Sequence, residues 1–275
     1  MLYRSIIRAI ALAVALTAAI AGARAFDDTK YPDLKPYWTG IGGNRWAPPG
    51  EQAPLTDEYR AIYQANMADQ AAGGHGTDPT YTCLPPGMPR QMNAYEPMEI
   101  VVTPETTHIL IEHIHDSRRI YTDGRDWPAE IEPTYAGLSI GKWIDEDGDG
   151  RYDVLVVETR AIKGPRSFDS TGLPLHKDDQ TVVKERIYLD KANPDILHDE
   201  LTTIDNALTR PWTVTKNYRR GKDKQMVWRE SICAENNLHV RIGKDDYFVS
   251  ADGLLMPVRK NQPPPNLKYF TQSRR

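Results

Sequence analysis

The chain has 275 residues, 40% of them hydrophobic and 26% charged, with 34 Lys+Arg against 38 Asp+Glu. This composition excludes a disordered or collagen-like polymer and suits one large domain or two small ones. The near balance of charge, without basic blocks, excludes a dedicated nucleic-acid binder.

Residues 1–25 read as a secretory signal peptide. Arg4 and Arg8 precede a short apolar run from Ala9 to Ile20, and Ala23-Arg24-Ala25 is a small-x-small cleavage pattern, with processing expected before Phe26. The run is shorter than the ~20 residues of a good membrane span, so no stable membrane insertion is expected after cleavage. Processing removes three arginines and leaves a mildly acidic exported chain, periplasmic or secreted. In an oxidising compartment the two cysteines, Cys83 and Cys233, gain meaning: they form one bridge or stay as two separate buried thiols.

Residues 26–54, rich in Pro, Gly and Trp, read as irregular chain lying on a core. A helix comes next, with Thr56 as N-cap, Asp57 and Glu58 in the first turn, an apolar stripe of Tyr59, Ile62, Tyr63 and Met67 interrupted by Asn66, and Gly73-Gly74 as its end. Residues 26–82 are therefore taken as an irregular and helical N-terminal segment packed on a β domain. From Met98 onward the apolar period is two. Strands are expected at Glu99–Thr103, His108–Ile114, Arg118–Thr122, Leu138–Ile144, Tyr152–Ala161, Thr181–Leu189, Ile196–Ile204, Trp212–Tyr218, Met226–Ile232, Tyr247–Ser250 and Leu254–Val258. Short strands at this spacing, without interleaved helices, indicate a mainly β chain: an antiparallel barrel over residues 83–262, with a sandwich as the second choice. Pro263-Pro264-Pro265 opens an extended tail over residues 263–275.

The sharpest chemical signal is Asp145-Glu146-Asp147-Gly148-Asp149-Gly150-Arg151-Tyr152-Asp153. Carboxylates at loop positions 1, 3, 5 and 9 with Gly at position 6 match the front of a calcium loop, and Arg151 at position 7 would supply a carbonyl. Position 12 is Val156 rather than a bidentate Glu, so this is a calcium-type hairpin holding a structural Ca²⁺, with Glu158 as a replacement ligand; the plain alternative is a solvated acidic turn. No nucleotide or organic cofactor is indicated. Gly137-Leu138-Ser139-Ile140-Gly141 spells a nucleophile-elbow string, but the residues around it read as strand and not as strand–turn–helix.

The run from Glu112 to Arg125 packs acids, bases and guanidinium groups beside the core. If one strand continues through it, His113, His115, Arg119 and Tyr121 share a face with Ile109 and Ile111. His113-Ile114-His115 has a spacing that a transition metal could use, with a third ligand from His176, His198 or His239, but nothing in the sequence enforces it. The polar face is either a structural network or the polar end of a small-molecule pocket, with His115 moving a proton and Arg119 holding charge.

Several strings, Cys83-Leu84-Pro85-Pro86-Gly87-Met88-Pro89-Arg90, Arg119-Ile120-Tyr121-Thr122-Asp123-Gly124-Arg125, Arg210-Pro211-Trp212-Thr213-Val214 and Cys233-Ala234-Glu235-Asn236-Asn237, resemble those of a large group of uncharacterised secreted bacterial proteins. The resemblance implies a lipocalin-like β-barrel preceded by a short helical region, and no activity. It also implies that Glu112, His115, Arg119 and Asp123, together with His176, Glu185, Asp205 and Trp212, are positions of interest. His113 departs from the group, where an aromatic is usual, and so does the long acidic loop.

The functional expectation is an exported barrel that binds a small apolar or aromatic molecule, with Glu112, His115, Arg119 and Asp123 as candidate catalytic groups and His113, Tyr121, His176, Glu185, Asp205 and Trp212 as candidate ligand contacts. The alternatives are a cofactor-independent lyase, isomerase or hydrolase using a His-Arg-carboxylate pocket, and an envelope structural protein without a ligand. The partner is a small molecule and not a nucleic acid; the sequence leaves the oligomeric state open.

Overall fold

The computed structural model describes residues 26–93, 96–112, 117–229, 232–235 and 238–266. Nine strands close into a barrel in chain order: β1 (Trp38–Ile41), β2 (Met98–Val102), β3 (Thr106–Ile111), β4 (Ser117–Tyr121), β5 (Leu138–Ile144), β6 (Val154–Arg160), β7 (Val182–Leu189), β8 (Ile196–Ile204) and β9 (Trp212–Arg220). β1 closes the ring, since Trp38 pairs with Met98 of β2 and also with Arg220 of β9. Neighbours are antiparallel except β4 and β5, which run parallel over Ile120↔Ser139 and Tyr121↔Ile140, so the barrel is mixed and not strictly antiparallel. A parallel pair cannot be joined by a tight hairpin, which accounts for the long connection of residues 122–137.

Strand alternation fills the lumen. Ile109 and Ile111 of β3, Leu155 and Val157 of β6, Val183 and Ile187 of β7, Leu197 and Leu201 of β8, and Trp212 and Val214 of β9 are all buried. Trp38, which is fully buried, sits among them and donates through Nε1 to the Leu34 carbonyl at 2.9 Å. Charged and hydroxyl side chains occupy the same inward register at Arg118, Ser139, Thr159, Glu185, Asp199 and Lys216.

The one α-helix among the described residues, α1 (Asp57–Ala71), begins where Thr56 caps the Tyr59 amide. Its buried stripe runs through Tyr59, the partly buried Ile62 and Tyr63, and Asn66, while Met67 is exposed. Asn66 is therefore part of the packed face. Its side-chain amide donates to the Thr171 carbonyl and its oxygen accepts from the Thr77 amide, each at 2.7 Å. These bonds fix α1 against the loop 166–178, whose Phe168 packs between Trp46 and Trp212. No helix among the described residues is long and apolar enough to cross a membrane.

Two expectations about elements change. Trp38–Ile41 is a barrel strand within the segment read as irregular, because β9 offers it four consecutive register partners. The described part of 226–232 forms no strand: Trp228 instead donates through its indole to Glu99 of β2 at 3.1 Å. Beyond it lies a separate three-stranded sheet of β10 (His239–Ile242), β11 (Asp245–Val249) and β12 (Leu255–Pro257). The Cys83–Cys233 disulfide, with Cα atoms 5.5 Å apart, ties that sheet to the segment after α1.

The bridge spans 150 residues, so in the chain-entropy account it removes about 5 kcal/mol of freedom from the unfolded chain. Replacing both cysteines by Ser is expected to lower the denaturant midpoint by a large part of that amount. An unchanged midpoint in equilibrium unfolding would show that the C-terminal sheet folds independently of the barrel.

Candidate functional site

The polar centre of the barrel is built from five strands. Arg118 of β4 and Glu185 of β7 are each about 1% exposed and form a bidentate pair, Nη1 to Oε1 at 2.7 Å and Nη2 to Oε2 at 2.5 Å. Arg118 also donates to Ser139 Oγ of β5 at 3.2 Å and to Thr159 Oγ1 of β6 at 2.8 Å, and the two hydroxyls bond each other at 2.8 Å. Burial opposes charge on Arg118, but the adjoining Glu185 carboxylate more than offsets it and holds the guanidinium ionised.

Asp199 of β8 stands beside this pair and is treated differently. It is fully buried, and neither carboxylate oxygen has a hydrogen-bond partner among the described residues. Burial first, then the charge on Glu185, drive its carboxyl well above the usual carboxylate range. Across from it on β9 is Lys216, its register partner. The Lys216 Nζ donates to the carbonyls of Arg45 and Trp46, both at 3.0 Å, and lies 4.6 Å from the centre of the Trp46 ring. Burial lowers the lysine to about 8, opposed by Asp169 and Asp199.

Lys216 also lines a cleft of about 680 Å³ between β9 and the loop 42–51, together with Arg45, Trp46, Asn93 and Tyr218. The Tyr218 hydroxyl is committed to the Met92 carbonyl, and burial raises its phenol well above normal. The cleft thus offers an amine that changes charge near neutral pH, a neutral phenol and an exposed guanidinium. Such a set suits proton transfer to or from a small polar molecule.

The residues expected from the sequence fall in several places. His113 and His115 lie outside the described residues. Arg119 is on the outer, exposed face of β4, because Arg118, opposite Ile109 of β3, takes the inward position. Glu112 is buried and accepts the Arg229 amide at 2.8 Å. Asp123 is exposed and paired with Arg125 at 2.6 Å, whose hydrogen bonds lower it to about 2; the same guanidinium lies 3.8 Å over the Tyr121 ring. His176 contacts Asp178 at 2.7 Å and stacks on Tyr59. Asp205 accepts from the amides of His176 and Ala207 and from Thr181 Oγ1 at 2.5 Å, with Arg166 at 3.8 Å, while Trp212 is core. Among the described residues these groups are not brought around one void: Glu185 belongs to the barrel centre, and His176 and Asp205 to the loop under α1.

In the acidic loop, carboxylate oxygens of Asp145, Asp147 and Asp149 come within 4.8 Å of one another. Asp145 accepts the amides of Gly148 at 2.7 Å and Gly150 at 2.9 Å, and Asp149 accepts that of Arg151 at 2.8 Å. Asp153 accepts the Glu146 amide at 2.9 Å. Glu158 does not join the group, being held by Arg160 and by Lys184 at 3.6 Å.

Ser139, Thr159, Asp199, Lys216 and Arg118 escape the sequence reading. Their signal was a charge or hydroxyl at an inward position of an apolar alternation, as in Trp212-x-Val214-x-Lys216-x-Tyr218 and Leu197-x-Asp199-x-Leu201.

Two outcomes are expected from this electrostatic arrangement. Glu185→Gln should destabilise by about 3–5 kcal/mol by stranding Arg118, and the paired change Arg118→Met with Glu185→Leu should return most of that loss; a loss under about 1 kcal/mol in the single variant, by urea unfolding, would mean that the guanidinium is hydrated. Lys216 binds its proton less tightly folded than unfolded, so the unfolded chain holds more protons from pH ~8 up to ~10 and stability rises over that window. Lys216→Met should flatten the rise. A native chain whose stability falls between these pH values would contradict the burial of the amine.

No family model matches the chain, and no curated protein or solved structure matches it either. Function is therefore read from the site itself.

Proposed function

We propose that the protein is a cofactor-independent acid–base enzyme acting on a small molecule held in the Lys216 cleft. The observation that carries this reading is Lys216 itself: a largely buried amine, lowered to about 8, lines a 680 Å³ cleft and stands across from a buried carboxyl with no hydrogen-bond partner among the described residues. Two titratable groups pushed in opposite directions by one environment are the usual mark of acid–base assignment. In the reaction, the neutral Lys216 amine takes a proton from a carbon acid or from water. The exposed Arg45 guanidinium stabilises the negative charge that develops, and the Lys216 ammonium returns the proton to product. No electrons are gained or lost, so the class is isomerase, lyase or hydrolase. The barrel is lipocalin-like, in this reading, in carrying its small molecule at one mouth.

A second reading comes from the two carbonyl bonds of the ammonium. They make Lys216 a staple for the loop 42–51, and the protein a binder without turnover. The two readings separate in a screen of small lactones, activated esters and β-dicarbonyl compounds. The enzyme reading predicts a rate that rises through pH ~8 and falls at least about 100-fold in Lys216→Gln, at an unchanged melting temperature. A lower melting temperature with the rate intact, or no turnover of any compound by the wild type, leaves the staple.

We also propose export by the N-terminal signal, membership of the secreted group that the chain resembles, and a structural Ca²⁺ on Asp145, Asp147 and Asp149, aided by the Arg151 carbonyl. The clustering of the three carboxylates supports the last of these. A chelator is then expected to lower the melting temperature, millimolar Ca²⁺ to restore it, and Asp147→Ala to abolish the response, by mass action on the native state. A melting temperature indifferent to Ca²⁺ would reduce the loop to an acidic turn.

A further inference from the structure

A second concavity lies apart from the Lys216 cleft, where the segment after α1 meets the C-terminal sheet. Its volume is about 210 Å³, below the usual range for drug-sized ligands and close to that of a one- or two-ring compound. Its walls are rings. His75 meets Phe248 edge-on with centroids 4.6 Å apart and meets Tyr81 at 5.6 Å, and Leu84 and Val258 complete an apolar lining.

The charges at this pocket are already matched. Asp78 is held bidentately by Arg90, at 2.6 and 3.1 Å, and accepts from Thr80 and Ser167. Arg241 and Asp246 satisfy each other through two bonds of 3.1 Å. An ionic ligand would have to break one of these pairs, so a neutral one is favoured. The His75 ring, by contrast, is half-buried, lines the pocket, and its nitrogens make no hydrogen bond among the described residues, which leaves it a donor or acceptor for a ligand.

The two walls come from distant parts of the chain and are joined at their backs. Thr82 of one wall precedes Cys83, whose partner Cys233 leads into the sheet that carries Phe248, and the His75 amide donates to the Val258 carbonyl at 3.2 Å. The ring arrangement is therefore held before any ligand arrives, which lowers the ordering cost of binding.

We infer that this pocket is a second small-molecule site, taking a neutral planar aromatic compound of one or two rings that bears a hydrogen-bonding group. The ligand's ring packs edge-to-face against Phe248 and Tyr81, and its polar group bonds the His75 imidazole. The site is independent of the Lys216 chemistry, and its failure would leave that reading untouched.

Indole and 4-methylphenol are suitable probes, with cyclohexanol as a non-aromatic control of similar size, titrated calorimetrically into the oxidised full chain. Both aromatic probes are expected to bind with Kd of about 0.1–1 mM, and cyclohexanol at least about tenfold more weakly. Phe248→Ala and His75→Leu should each weaken the aromatic probes at least about fivefold, and Lys216→Gln should leave them unchanged. His75→Leu keeps the bulk of the wall, so it tests the site even if Phe248→Ala loosens the sheet. Absence of binding at about 10 mM, equal affinity for cyclohexanol, or full affinity in His75→Leu would each overturn the proposal.

Discussion

A guanidinium inside a closed barrel sets the terms for everything around it. Arg118 reaches the lumen almost wholly buried, and an unpaired charge there would cost several kcal/mol. Glu185 neutralises it across the barrel, and Ser139 and Thr159 each accept one further hydrogen. With that pair balanced, a second carboxylate in the same interior has no counter-charge of its own. Asp199 therefore stays protonated or borrows from Lys216 on the facing strand.

The folding of the chain before and after β1 explains how Lys216 comes to line a cleft. β1 closes the ring between β2 and β9, and the residues after it do not leave the barrel but lie back over β9. Trp46 is fixed there by its amide to Asp169 at 2.7 Å and by packing on Phe168, and the backbone carbonyls that this exposes to the interior receive the Lys216 ammonium. Helix α1 holds the loop 166–178 from the other side through Asn66. The cleft is thus the joint product of a short strand, a Pro/Gly-rich loop and a helix that does not touch it.

Much of this was legible in the sequence, and the part that was not has identifiable physical causes. Alternation located β2 to β9 closely, and the N-cap and glycine stop located α1. β1 was missed because Trp38-Thr39-Gly40-Ile41, though three of its four residues favour strands, is short and sits among glycines and prolines, and it exists through its partners. The site was misplaced by one residue. Arg119 would point inward only if one strand ran on from His108 to Thr122, whereas β3 and β4 are separate antiparallel strands and Arg118, opposite Ile109, takes the inward position; a single step reverses every side chain. Lys216 was visible as a charge in an apolar register. Its lowered affinity for a proton was not, because the groups that bury and hold it, Arg45 and Trp46, lie 171 and 170 residues away in sequence.

The central claim is that Lys216 is an amine able to act as a base near neutral pH. The most direct measurement is a carbon-detected NMR titration of ¹³C-labelled lysine in the native chain, with the Lys216 signal assigned by its loss in Lys216→Gln. The account predicts a midpoint near 8 for that resonance, well below the ~10.4 of a lysine in a model peptide. A Lys216 midpoint in the ordinary lysine range would contradict it, and with it the acid–base reading of the cleft.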